Sequence, residues 1–205
     1  MIAVDFLRHG STEATGRLLG RTDAPLSEDG RAVVERQVRG RAWSAILASP
    51  LSRARETAAI AARISGAPVE IAPAWQEIDF GAWDGEPLAA LARDPRFAAF
   101  QADAETNAPP GGEPMHAVRA RITPALEALA TRDSGRVLVV AHGGTIRVAL
   151  SVLLAVPFAR LWAVRIGCAT RIAVEMGRSA SHGLWGEIVE IAQPQSIPAT
   201  GKENA

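Results

Sequence analysis

The chain has 205 residues, 48% hydrophobic and 21% charged, the balance of an ordinary globular protein with length enough to bury one full core. Lys+Arg and Asp+Glu both count 22, so no bulk field draws the chain to nucleic acid or an acidic membrane, while a local basic site stays open. A single cysteine, Cys168, excludes an intrachain disulfide. Without a signal-like N-terminus or a membrane-length apolar run, these properties point to a cytoplasmic location.

Taken in order, Ile2, Ala3, Val4, Phe6 and Leu7 form a short apolar run that reads as a buried strand. It runs directly into Arg8, His9 and Gly10, where the glycine is expected to let backbone approach a ligand closely. Residues 16–26 read as a loop. Ser27 is the expected N-cap of a helix over 28–41, with Glu28 and Asp29 in its first turn. A second strand is expected over 44–48, ended by Ser49-Pro50, then a helix with Ala54, Thr57, Ala58, Ala61 and Ile64 on one face and Gly66 as its stop. A third strand falls at 69–72.

Residues 87–100 read as a helix that Pro95 interrupts or ends, and 107–112 as a loop. A helix from Glu113 or Pro114 to Ala130 follows, in which Pro124 predicts a kink or a break. The run Val137-Leu138-Val139-Val140-Ala141 is the strongest strand signal, followed by His142-Gly143-Gly144 and a helix over 145–154 closed by Pro157. Two more strands are expected near 171–175 and 186–191. Residues 193–205 are polar and proline-containing and are expected to fray. The alternation, without repeats, describes one layered α/β domain over 1–192.

If the first strands are parallel, five side chains collect at one rim of the sheet: Arg8 and His9, Arg53, Glu77 and His142. A neutral imidazole can attack phosphorus and carry the phosphoryl group, splitting a hard displacement into two easier ones. Neighbouring guanidinium groups keep that ring neutral and match phosphoryl oxygens with forked donors. His142 can donate to the same oxygens, and the amides of Gly143 and Gly144, opening a helix, favour an anion. A leaving alkoxide needs a proton, for which Glu77 is suitably placed, with Asp79 and Asp84 as nearby competitors. Read alone, Arg53 fits a solvated helix face, as Arg55 and Glu56 do. The histidines His9, His116, His142 and His182 lack metal-ligand spacing, so no metal is expected, and His116 and His182 read as surface residues. Cys168, in an apolar Gly-Cys-Ala setting, reads as structural rather than as a reactive thiol.

With these residues in view, the chain resembles the histidine phosphatase superfamily, the phosphoglycerate-mutase-like proteins. Leu7-Arg8-His9-Gly10 matches its signature, Ser49-Pro50-Leu51-Ser52-Arg53-Ala54-Arg55-Glu56-Thr57-Ala58 its second block, the run from Trp75 to Gly85 its acid-bearing block, and Ala141-His142-Gly143-Gly144 its second histidine. The resemblance implies a three-layer α/β/α sandwich around a mixed, mainly parallel sheet. It also implies a phosphohistidine at His9, Glu77 as acid then base, Arg8, Arg53 and His142 around the phosphoryl group, and no cofactor or metal. Within the superfamily the blocks over 20–27, 80–85 and 109–113 lean toward α-ribazole phosphatases of cobalamin synthesis, putting Arg21 forward for substrate binding. Broad-specificity phosphatases share those blocks, and a mutase reaction differs only in what attacks the phosphohistidine. A phosphate-binding module without turnover is the alternative of another class. The expected partner is a phosphorylated small molecule, with monomer and homodimer both open. Residues 11–16 depart from the family pattern, being shortened and lacking an asparagine that helps hold phosphate in relatives. That leaves Ser11 or Thr15 to take its place, or a looser grip on phosphate.

Overall fold

The computed structural model describes residues 1–132, 135–181 and 183–194. Six strands form one sheet: β1 (Ile2–Arg8), β2 (Ala45–Ala48), β3 (Val69–Ile71), β4 (Arg136–Ala141), β5 (Arg171–Ser179) and β6 (Gly183–Ala192), in the order β3-β2-β4-β1-β5-β6. The pairs β3–β2, β2–β4 and β4–β1 are parallel, while β5 and β6 extend the sheet antiparallel beyond β1. The sheet is therefore mixed and mainly parallel, as the resemblance implies.

The apolar runs of β1 and β4 are buried on both faces, which explains their unbroken hydrophobicity. Val4, Phe6, Val137 and Val139 face one core, with Ile122 and Leu126 of helix α5 (Met115–Ala130) and Ile146 and Leu150 of helix α6 (Gly143–Leu154). Leu7, Leu138 and Val140 face the other, with Val34 of helix α1 (Glu28–Val38) and Ala54 and Ala58 of helix α2 (Ser52–Ser65). Two short helices, α3 (Leu88–Leu91) and α4 (Pro95–Ala102), and a 3-10 turn over Phe158–Ala163 complete the described elements that matter to the cavity.

Local signals act where expected. The Ser27 hydroxyl accepts from Gly30 N at 3.0 Å and starts α1, which stops at Val38 rather than 41. Gly66, at φ 74°, ends α2, and Pro95 opens α4 at its first turn. Helix α5 is unbroken through Pro124, because Val118, Ile122, Leu126 and Leu129 bury a continuous stripe that outweighs the missing hydrogen bond. Gly10 has a different reason from the one expected. A Cβ there would lie 2.7 Å from Gly30 O and 2.8 Å from Val34 Cγ2, so the glycine lets helix α1, not a ligand, approach. Of the tail, 195–205 lies outside the described residues, as does His182; His116 is exposed.

Candidate active site

The parallel strands bring their carboxyl ends to one rim, and the residues that follow them form the site. His9 follows β1 and is buried, 5% exposed. Its Nδ1 lies 2.7 Å from Gly10 O. A carbonyl can only accept, so Nδ1 carries the ring proton and Nε2 keeps the free lone pair. Burial, with the Arg8 and Arg53 guanidinium groups beside it, pushes His9 well below its ordinary pKa of 6.5. The ring is neutral near pH 7. Arg8 donates to Ile166 O at 2.8 Å, while its buried Nε meets no acceptor.

His142 follows β4 and packs against His9, ring centroids 5.1 Å apart. Arg53 Nε donates to His142 Nδ1 at 3.3 Å, so in the neutral ring the proton sits on Nε2, 2.7 Å from Ser49 Oγ. Burial, then the nearby His9, Arg53 and Arg8, push this ring below its ordinary value too. Arg53 opens α2 and is wholly buried, which rules out the solvated helix face. Besides His142 it donates to the carbonyls of Thr22 (2.7 Å), Leu19 (3.2 Å) and Gly20 (2.8 Å). One NH1 hydrogen is left uncommitted by these bonds.

Glu77 is 6% exposed. Its carboxylate accepts from the amides of Ile78 (2.9 Å), Gly144 (3.0 Å) and Thr145 (3.2 Å). The last two belong to the first turn of α6, so the anion that Gly143 and Gly144 were expected to attract is, at Gly144, the protein's own acid. Gly144 must be glycine, since a Cβ would meet Glu77 Oε1 at 2.5 Å. Behind Glu77, Arg121 of α5 donates to the carbonyls of Ala74 (2.6 Å) and Gln76 (2.7 Å), and Glu113 holds Arg121 at 2.7 Å. These side chains fix the irregular stretch that carries the acid.

Arg8, His9, Ser11, Thr15, Glu77 and Gly143 line one cavity of about 480 Å³. Among the described residues Glu77 is the one acidic side chain on that lining; Asp79 accepts from Gly81 N, and Asp84 from Gly20 N and Thr22 N. Arg53 and His142 lie in the layer packed against His9, off the lining. Arg21 is also off it: its guanidinium faces Asp79 (3.9 Å) and Glu113 (3.7 Å), drawn to that acidic pair on the scaffold of the acid block.

Some participants escaped the sequence reading. Ser49 ends β2 as His9 ends β1, and that shared position was the available signal for its bond to His142. Thr57 accepts from Gly10 N at 3.1 Å and donates to Arg53 O at 2.8 Å, linking two motif residues from a helix face read only as core. Arg147 of α6 lines the cavity while donating to the carbonyls of Gly143 (3.0 Å), Leu161 (3.2 Å) and Val164 (3.2 Å). Burial, with Arg8 nearby, pushes it down to about 10. Nothing in its linear surroundings marks it.

Comparison with known proteins agrees with this geometry. Residues 4–183 match the model of the histidine phosphatase superfamily (branch 1). The chain is 30% identical over 178 residues to an adenosylcobalamin/alpha-ribazole phosphatase of Salmonella typhimurium, covering 82% of this chain and 88% of that protein. It is 32% identical over 165 residues to a probable phosphoglycerate mutase of Erwinia tasmaniensis, covering 77% of each. A mycobacterial glucosyl-3-phosphoglycerate phosphatase superposes with a TM-score of 0.78 at 28% identity, over 91% of this chain and 96% of that one.

Proposed function

The chain belongs to the histidine phosphatase superfamily, and from that membership we propose a metal-independent phosphomonoesterase that works through a phosphohistidine at His9. The observation that carries the proposal is the state of His9: neutral, protonated at Nδ1 by its bond to Gly10 O, with Nε2 unengaged. In the first step Nε2 attacks phosphorus, the ester P–O bond breaks, and the departing alkoxide takes a proton from Glu77, which enters this step as the neutral acid and leaves it as the carboxylate. In the second, Glu77 accepts a proton from water, whose oxygen attacks phosphorus as the P–N bond breaks and inorganic phosphate leaves. Arg8, with Ser11 and the Gly143 amide, holds the phosphoryl oxygens from the lining. Arg53 acts on the same group from beneath through its remaining N–H, while His142, expected to donate to the phosphoryl oxygens, has both ring nitrogens engaged by Arg53 and Ser49 and instead positions Arg53. The positive charge of Arg8 and Arg53 stabilises the negative charge that develops on those oxygens in the transition state.

Residues 1–192 are assigned to one phosphatase domain, acting on a phosphorylated small molecule. The finer assignment is α-ribazole 5′-phosphate, supported by the kinship with the Salmonella enzyme of that name. Phosphate release in EDTA from a panel of phosphomonoesters, α-ribazole 5′-phosphate and 3-phosphoglycerate included, tests both levels. Turnover by the parent with loss in His9→Ala is the expected result. A clear preference for α-ribazole 5′-phosphate supports the finer assignment, and a flat profile removes it. Undiminished turnover in His9→Ala overturns the mechanism.

A further inference from the structure

The cavity has two ends of different chemistry. One is the strand-end group of Arg8, His9, Ser11 and Glu77. The other is apolar and comes from three irregular parts of the chain: Leu18, Leu88 of α3, Phe97 and Phe100 of α4, and Phe158 and Trp162 of the 3-10 turn. At about 480 Å³ the whole is far larger than a phosphoryl group and lies in the range that encloses a drug-sized ligand.

Two of these side chains are uncovered. Leu88 is 45% exposed and Trp162 39%, whereas Phe97, Phe100 and Phe158 are buried behind them. An isolated exposed leucine carries no message, but an exposed indole and an exposed leucine on the lining of one cavity leave apolar surface there that water covers at a cost. The indole is also held in place. The Arg147 guanidinium sits 4.5 Å over its ring, and Phe158 meets its edge at 5.9 Å and 84°. Arg147 is in turn fixed by the three carbonyls it binds, so Trp162 offers a prearranged surface. The guanidinium over the indole is already engaged by protein carbonyls, and among the described residues the polar side chains that these segments bring to the lining are Arg17, which donates to Gly85 O, and Gln101, while Arg96 and Arg160 on the same segments stay off it.

We propose that this apolar end is a leaving-group subsite that takes a flat, largely apolar ring carried on the phosphorylated alcohol, with Trp162 as its specificity-determining residue. The proposal rests on the reading of the strand-end group as the phosphoryl site. It goes further in naming the class of alcohol: ring-bearing, and neither a small polyol nor a second anion.

The test compares 2-phenylethyl phosphate with ethyl phosphate, which present the same kind of primary alkoxide and differ by the ring. The parent is expected to favour the phenyl ester in kcat/KM by about tenfold or more, the scale for burying one aromatic ring. Trp162→Ala should reduce that ratio about tenfold, through KM; Trp162→Phe should keep most of it, and Leu88→Ala should lower it about twofold. Calorimetric binding of 2-phenylethylphosphonate and ethylphosphonate gives the same comparison without turnover. If neither ester is hydrolysed but the phenyl phosphonate binds more tightly in a Trp162-dependent way, the phosphatase reading falls and the subsite stands. If both esters turn over equally, or if the two phosphonates bind equally or not at all, the subsite falls. A ratio unmoved by Trp162→Ala also overturns it.

Discussion

Strand β1 carries two buried charged clusters three residues apart, and they are built on opposite principles. Asp5, 1% exposed, accepts from Trp43 Nε1 at 2.7 Å, Arg136 at 2.9 Å and Arg171 at 3.0 Å, and Arg171 also binds Glu190. Every charge there is answered by the chain itself. At the far end of the same strand, Arg8, Arg53 and Arg147 crowd around two neutral histidines, and among the described residues none of the three forms an ion pair. Their partners are carbonyls and, for Arg53, the neutral ring of His142, which satisfy donors without cancelling charge. Each cluster leaves one buried arginine Nε without an acceptor, Arg8 in one and Arg171 in the other, so the difference lies in charge balance and not in hydrogen-bond count. The closed cluster balances its charge within the fold; the open one, with Glu77 against three arginines, stays positive, as the proposed binding of a phosphoryl dianion requires.

The contrast can be broken from either side. The largest effect is expected at the open cluster. Glu77→Gln keeps the size of the side chain and an acceptor for the Ile78 and Thr145 amides, gives up the bond from Gly144 N and cannot protonate an alkoxide, so kcat for an alkyl phosphate should fall by about 10²–10⁴. The fall should be much smaller for p-nitrophenyl phosphate, whose leaving group needs no proton; equal losses on both esters would remove the acid role. At the closed cluster, Asp5→Ala strands Arg171 without its buried partner and should cost about 3–5 kcal/mol in urea unfolding, with kcat per folded molecule unchanged.

The two neutral histidines give a pH signature. His9 and His142 titrate in the fold well below 6.5, while the unfolded chain takes up protons near 6.5, so the unfolded state binds more protons as pH falls through that value. Their contribution is fully present above about 6.5 and is lost below it, down to the lowered folded values. Between pH 7 and 5.5 the two rings should together remove about 2–3 kcal/mol, and His142→Asn should roughly halve the dependence. The smallest effect belongs to the surface pair Arg31–Glu56, 48% and 30% exposed, where Arg31→Ala should change stability by less than about 1 kcal/mol.

How far the sequence discloses each region follows from how each is built. His9, Arg53 and His142 lie at the ends of apolar runs or just beyond them, so strand periodicity and residue type located them together. The acid came from its block, yet its anchorage on the first turn of α6 did not, because that bond spans Glu77 to Gly144. Gly10 was visible as a special position, but its reason, contact with Gly30 of α1, is a packing fact between distant segments. Arg21 looked like a substrate ligand in a glycine-proline loop, and only the fold reveals its acidic neighbours Asp79 and Glu113. The apolar end of the cavity was least legible. Leu88, Phe100 and Trp162 sit on short helices and a 3-10 turn with too few residues to show a period, and they meet only in space.

The most direct test of the account is to trap the covalent intermediate. The parent is mixed with a phosphomonoester, quenched in alkali within its first turnovers, and digested for mass spectrometry. One phosphoryl group on the peptide bearing His9, acid-labile and missing from His9→Ala, is the expected result. A phosphoryl group on any other residue, or burst-free turnover with no labelled peptide, would contradict it.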